Sequence, residues 1–165
     1  MKKLLIVYYS WSCGNTERTA KALQSVAGGD LVRLDTAVPY SGSYNDVVDQ
    51  GQHEVNAGFE PELKPLPVNV ADYDVIAVGT PTWWYTMAPA VKTFLHGQNF
   101  AGKTVVPFMT NGGWPGRVIK DMKAACPRAD FACDMQVKFD SNGGDHLETP
   151  ESKINAWAQS VKALL

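Results

Sequence analysis

Five times along the chain a short apolar run gives way to a Gly-rich or polar loop and then to a segment with apolar residues at helical spacing. Leu4 to Tyr9 is apolar at every position instead of alternating, as a strand buried on both faces must be. Leu31 to Leu34, Asp74 to Val78, Thr104 to Met109 and Phe131 to Phe139 are the other strand candidates. Between them, helices are predicted by Thr16, Thr19, Ala20, Leu23 and Ala27 ahead of Gly28-Gly29, and by Tyr44, Val47, Val48, Gly51 and Val55 behind an N-cap at Ser43 with Asp46 three residues on. Pro89 opens a third helix with Val91, Phe94 and Leu95, and Val118 to Cys126 form a fourth. A last one starts at Thr149-Pro150-Glu151 and carries Ile154, Trp157, Val161 and Leu164. Strands alternating with helices imply an α/β fold, a doubly wound five-stranded parallel sheet with helices on both faces.

The 165 residues suit one domain, 1–165, with 45% hydrophobic residues for its core. Fifteen basic against 17 acidic side chains leave a formal charge of −2, which argues against nucleic acid or an anionic membrane as partner. The charge-free stretch Val75 to Val91 is broken by Gly79, Pro81 and Pro89 and is too short for a membrane span, and Leu4 to Tyr9 is too short for a signal peptide. Three cysteines (Cys13, Cys126 and Cys133) and three histidines (His53, His96 and His146) lack metal-ligand spacing, so no metal is expected. The expected location is a reducing compartment, the cytoplasm.

Ligands of such sheets bind outside the carboxyl ends of the strands, where strand order reverses. The loops that end there are 10–16, 79–88 and 110–116, and each contains Trp. The first has hydroxyls at Ser10, Ser12 and Thr16 and no Lys or Arg before Arg18. Backbone N–H groups at a helix N-terminus can hold a phosphate there without a cation, although an ordinary capped turn has the same composition. In the second, Trp83, Trp84 and Tyr85 are consecutive and cannot all point into one core. At least one ring should face a cleft and stack on a flat ligand; a sheet-edge cap or a homodimer contact is the alternative. In the third, Gly112, Gly113 and Gly116 allow close backbone approach beside Trp114. Together the loops suit a phosphorylated, flat, aromatic ligand.

The run Leu5 to Glu17 (LIVYYSWSCGNTE) resembles the FMN phosphate-binding segment of the flavodoxin family, and the resemblance extends through Asp74 to Trp84 and Val105 to Gly113. It implies a flavodoxin-like fold of strand order 2-1-3-4-5 and a non-covalent FMN. By position, Ser10, Ser12, Asn15 and Thr16 would hold the phosphate, with backbone N–H groups from Trp11 to Thr16, Cys13 and Gly14 among them. Pro81, Thr82, Trp83, Trp84 and Tyr85 would line the isoalloxazine, flanked on its other side by Thr110, Asn111, Gly112, Gly113 and Gly116. The chain departs from the family pattern in the extra Cys13 between Ser12 and Gly14, and in being nearly neutral.

Three other motifs fail on mechanism. Gly97 to Thr104 matches the Walker A pattern, but a helix precedes it and a strand follows, the reverse of what phosphate binding there requires. Cys13 and Arg18 are separated by four residues, where the low-molecular-weight tyrosine phosphatases they resemble have five. A phospho-receiver domain would need acidic residues where Tyr8, Tyr9 and Ser10 stand. The expected function is therefore electron transfer through a bound FMN, to a redox partner protein or a small-molecule acceptor. Two alternatives are an NAD(P)H-dependent flavin or quinone reductase, and a non-enzymatic module that uses the same loops to bind a partner.

Overall fold

The computed structural model describes residues 1–165. In chain order the elements are β1 (Leu4–Tyr8), α1 (Asn15–Ala27), β2 (Asp30–Arg33), α2 (Tyr44–Ala57), β3 (Val75–Trp83), β4 (Thr86–Met87), α3 (Pro89–Gly97), β5 (Thr104–Asn111), α4 (Val118–Ala125), β6 (Asp130–Phe131), β7 (Met135–Lys138) and α5 (Glu151–Lys162). The sheet runs β2-β1-β3-β5-β6, all parallel, and β7 pairs with β5 beyond β6. With β6 and β7 as two halves of one strand, this is the expected α/β fold and the expected order.

Every residue of β1 is buried, because each face of the sheet carries its own core. Leu5 and Val7, with Ile76, Val78, Val105 and Met109, pack under α3 and α4 through Val91, Phe94, Leu95, Val118 and Met122. Leu4, Ile6 and Tyr8, with Val75, Ala77, Val106 and Phe108, pack under α1 and α5 through Ala20, Leu23, Ile154, Trp157 and Val161. Fully burying each Leu, Ile or Val contributes roughly 1.5–3 kcal/mol. The two-faced apolar pattern of the strands is thus the main source of both fold and stability. Helix α2 has only two buried residues, Val47 and Gly51, so neither core accounts for where it sits. Ser43 caps it: the hydroxyl accepts from the Asp46 N–H, and the Asp46 carboxylate accepts from the Ser43 N–H.

Two strands differ from the sequence reading. The expected strand Phe131 to Phe139 is interrupted between Phe131 and Met135, where Cys133 has φ 54° and its carbonyl accepts from the Trp157 indole at 2.7 Å. The break lets the chain satisfy a buried indole of α5 that a continuous strand would leave without a partner. Strand β3 extends five residues beyond the expected end, from Val78 to Trp83, then turns back as β4 with Trp83 opposite Thr86. The second loop is therefore mostly a hairpin. The Gly97–Thr104 segment does run from helix to strand, and Lys103 donates from Nζ to the carbonyls of Ala71 and Tyr73.

Gly79 stands between Tyr8 of β1 and Phe108 of β5. A Cβ at this position would lie 2.3 Å from Cζ of Phe108, whose ring crosses Gly79 to meet Trp157 at 5.3 Å between centroids. Gly79→Ala should therefore destabilise the protein by roughly 1–3 kcal/mol through overpacking. A urea titration checks this; an unchanged midpoint would contradict the packing. Lys103→Ala should lose roughly 1–3 kcal/mol, the scale of an ammonium's hydrogen bonds to carbonyls, and still fold. Neither that variant nor the parent should bind Mg-ATP in a titration.

Candidate functional site

The sheet ladder stops at the N–H of Tyr9, which donates to the Gly79 carbonyl at 3.1 Å. Beyond it the chain turns away with Ser12 at φ 66° and Gly14 at φ 74°, and α1 begins at Asn15. Left-handed residues in such a turn point successive N–H groups into one concavity. From Ser10 to Glu17, the backbone N–H groups have no acceptor within the protein. Two buried side-chain oxygens of the same segment, Ser10 Oγ and Asn15 Oδ1, also lack a partner. Since buried polar groups are almost always satisfied, the free N–H groups together with the Ser10 hydroxyl mark a place built for a ligand with acceptors, whereas Asn15 Oδ1 calls for a donor. The aligned peptides of α1 add a positive end.

The turn opens into a cavity of about 290 Å³ at the carboxyl ends of β1, β3 and β5. Of the expected residues, Trp11, Ser12, Cys13, Asn15, Thr16, Pro81, Thr82, Trp83, Trp84, Thr110, Asn111 and Gly112 line it. Ser10, Gly14, Tyr85, Gly113 and Gly116 do not. Ser10 lies beneath the turn, 2% exposed, with its carbonyl on Arg33 Nη2 at 2.8 Å. Gly116 faces protein, since a Cβ there would lie 2.2 Å from the Tyr85 carbonyl oxygen. Thr16 Oγ1 and Thr110 Oγ1 are 2.8 Å apart and buried, which ties the first turn of α1 to the end of β5.

Trp83 sits edge-on to Tyr9, Tyr40 and Trp11, at centroid distances of 5.8, 5.1 and 6.5 Å. A Cβ on Gly51 of α2 would touch its ring at 3.0 Å, so α2 can close over the indole only because that position is Gly. Burial raises the Tyr9 and Tyr40 phenols well above their ordinary pKa, and for Tyr40 a 2.6 Å bond to the Glu54 carboxylate adds to it. Both therefore remain neutral. Trp84 donates from Nε1 to the Val48 carbonyl at 2.9 Å, which latches the hairpin to α2. Trp11 and Tyr44 stack at 5.7 Å.

The sequence reading missed two walls. One is α2, through Tyr44, Val47, Val48 and Gly51; the other is Phe139, Asp140, Gly143 and Gly144 after β7. Nothing in the helical periodicity of α2 separates a cavity-facing residue from a core-facing one. The Gly143-Gly144 pair after the last strand was a legible signal, lying at the same sheet edge as the other loops. Asp140 is the one charged side chain on the wall. N–H groups of Gly144 and His146 hold its carboxyl below the usual range, so it stays ionised. Arg18 turns outward to the Asp145 carbonyl and to Glu151. No group of three or more His, Cys, Asp or Glu side chains is placed to hold a metal ion.

A family model described as flavodoxin matches residues 3–157. The chain belongs to the flavodoxin family. A candidate flavoprotein of Bacteroides eggerthii DSM 20697 is 31% identical with a TM-score of 0.77, covering 99% of both chains. A flavoprotein from Lactobacillus acidophilus NCFM, solved in complex with FMN, has the same fold at 21% identity and a TM-score of 0.73, over 96% of this chain and 99% of that one. Among curated proteins, NAD(P)H dehydrogenase (quinone) 3 of Rhizobium meliloti (strain 1021) is 35% identical over 100 residues. That match spans 58% of this flavodoxin-family chain and less than half, 43%, of the relative. No helix is long and apolar enough to cross a membrane.

The hairpin turn contradicts one rule of residue preference. Trp84 and Tyr85 occupy its two central positions at φ 50° and 67°, where Asn-Gly is usual. Each non-Gly residue in this region costs roughly 1–2 kcal/mol. Trp84 is compensated by its bond to Val48, whereas Tyr85 is 54% exposed. Tyr85→Gly should therefore raise stability, by up to ~1 kcal/mol after the entropic cost of Gly. A thermal unfolding midpoint lower than that of the parent would show that the exposed ring contributes more than the strain costs.

Proposed function

We propose that this protein binds FMN non-covalently in the cavity at the strand ends and carries electrons by reversible reduction of that flavin. The observation that carries the reading is the run of acceptor-free N–H groups from Ser10 to Glu17, beside a cavity wall without Lys or Arg. A phosphate monoester fits such a donor set: it offers only acceptors when fully ionised, and the helix end supplies the favourable potential. The flat part of FMN fits the aromatic half, where Trp83, Trp84, Trp11 and Tyr44 supply broad apolar faces. When bound, FMN supplies one- and two-electron redox chemistry; the protein supplies binding, orientation and electrostatics.

Those electrostatics favour a low potential. The walls offer aromatic rings, neutral hydroxyls and one carboxylate, Asp140, and no cation to balance negative charge on reduced flavin. Negative charge in a desolvated site without a counter-ion is disfavoured. A second reading, an NAD(P)H-dependent quinone or flavin reductase, is supported by the Rhizobium relative and by the formal charge of −2, because steering toward basic protein partners relies on surface charge. The proposed partners are accordingly a redox protein for the carrier and a small-molecule acceptor for the reductase.

The purified protein should show flavin absorption bands and release a compound of the mass of FMN on acid treatment. FMN should bind far more tightly than riboflavin, which lacks the phosphate; equal affinity in a titration would sink the phosphate assignment. Thr16→Ala should weaken FMN binding by roughly 1–2 kcal/mol, the scale of a hydrogen bond to a charged acceptor. Steady NADPH oxidation with a quinone as acceptor would identify the reductase, and turnover only through an added reductase the carrier. A colourless protein that will not take up FMN would overturn both in favour of a partner-binding module.

A further inference from the structure

We propose that Asp140 is a positioning residue for the phosphate loop, acting through a strap formed by residues 140–146; the inference rests on the FMN reading above. The strap follows β7 and is coiled by one carboxylate. Asp140 Oδ1 accepts from the N–H groups of Asn142 at 3.1 Å and Gly144 at 2.9 Å, and Oδ2 accepts from His146 at 3.0 Å. In that form three consecutive carbonyls face the β1–α1 turn. Gly143 accepts from Cys13 Sγ at 3.3 Å, Gly144 from Asn15 Nδ2 at 2.9 Å and Asp145 from Arg18 Nη1 at 3.3 Å.

The strap is built tightly around this arrangement. A Cβ on Gly144 would lie 2.5 Å from Asp140 Oδ2, and one on Gly112 of the third loop would lie 3.1 Å from the Asp140 carbonyl oxygen. Asp140, Gly143 and Gly144 also line the cavity, so the strap is at once a wall and a clamp. The Asn15 amide is held in one orientation by Gly144, with Oδ1 left buried and without a partner. The turn itself is held in shape by few bonds of its own, because its N–H groups are free for a ligand. The strap supplies from outside the order that the turn cannot supply without using those donors.

The sign of the effect separates this role from simple electrostatics. A carboxylate on the wall of a phosphate site repels the phosphate, so removing its charge alone would tighten FMN binding. Positioning makes the opposite forecast. Asp140→Ala should raise the Kd for FMN about tenfold or more, as loss of charge-assisted order at the donors implies. Riboflavin, which does not engage the phosphate loop, should lose clearly less affinity than FMN. Asp140→Asn keeps the Oδ1 acceptor for Asn142 and Gly144 and should fall between parent and Asp140→Ala.

The experiment is a fluorescence titration of the flavin-free full chain with FMN and riboflavin, paired with amide hydrogen exchange. Gly144 and His146 amides should be protected in the parent and lose protection in Asp140→Ala. Should that variant fail to fold, Gly144→Ala, which drives a Cβ into the carboxylate while keeping it, should give the same FMN-selective loss. Tighter or unchanged FMN binding by Asp140→Asn overturns the proposal, as does an equal loss of FMN and riboflavin affinity. If the parent binds riboflavin and FMN alike or neither, the FMN reading itself fails and the strap's role with it. A parent that prefers FMN beside an Asp140→Ala variant with unaltered preference overturns the strap alone.

Discussion

The parallel register of β1, β3 and β5 is the constraint on which the site depends. Tyr8 lies beside Gly79, and Gly79 beside Phe108, so the three strands reach one edge nearly in step. The last rung, from the Tyr9 N–H to the Gly79 carbonyl, satisfies the chain just before it leaves the sheet. Everything after that rung has no strand to pair with. A run of free donors at the start of α1 is the direct result, and the ends of β3 and β5 are close enough to enclose it. The Thr16–Thr110 contact joins the two sides at the bottom.

The positions that make this edge work are those where a side chain has been given up. Gly79 admits the ring of Phe108, and Gly51 admits the ring of Trp83 under α2. The third loop's glycines have similar protein neighbours, Gly112 against the strap and Gly116 against Tyr85. Close packing of rings and backbone against these glycines thus shapes the cavity from outside, while the aromatic cluster of Tyr9, Tyr40, Trp11 and Trp83 shapes it from inside. α2 owes its position to this cluster and to the Trp84–Val48 bond more than to either sheet core.

Electrostatically the site is built from dipoles. Two cations flank the turn, Arg33 on the Ser10 carbonyl and Arg18 on the Asp145 carbonyl, and neither lines the cavity. The one carboxylate on the wall is occupied by N–H groups of its own loop. Donors held by the backbone need no reorganisation when an anion arrives, and they do not neutralise additional charge elsewhere in the cavity. An anion can therefore be held at the turn while the rest of the cavity stays without a balancing cation.

Much of this was legible in the residues alone. The unbroken apolar runs Leu4–Tyr8 and Val75–Val78, alternating with segments of helical periodicity, specify a two-faced parallel sheet, because helices that cross between parallel strands cover both of its faces. The Ser12–Thr16 loop, lacking cations before a helix, points to a phosphate by local chemistry. Tertiary structure decided what depends on distant partners. The Trp83–Trp84–Tyr85 run became a hairpin at positive φ because Val48, 36 residues away from Trp84, accepts its indole N–H. The fifth strand broke at Cys133 because Trp157 required a carbonyl. α2 and the 140–146 strap became cavity walls through contacts such as Asn15 to Gly144, separated by 129 residues. Local sequence sets which conformations are cheap; which costly ones are adopted is set by hydrogen bonds and ring contacts that exist only once the chain has folded.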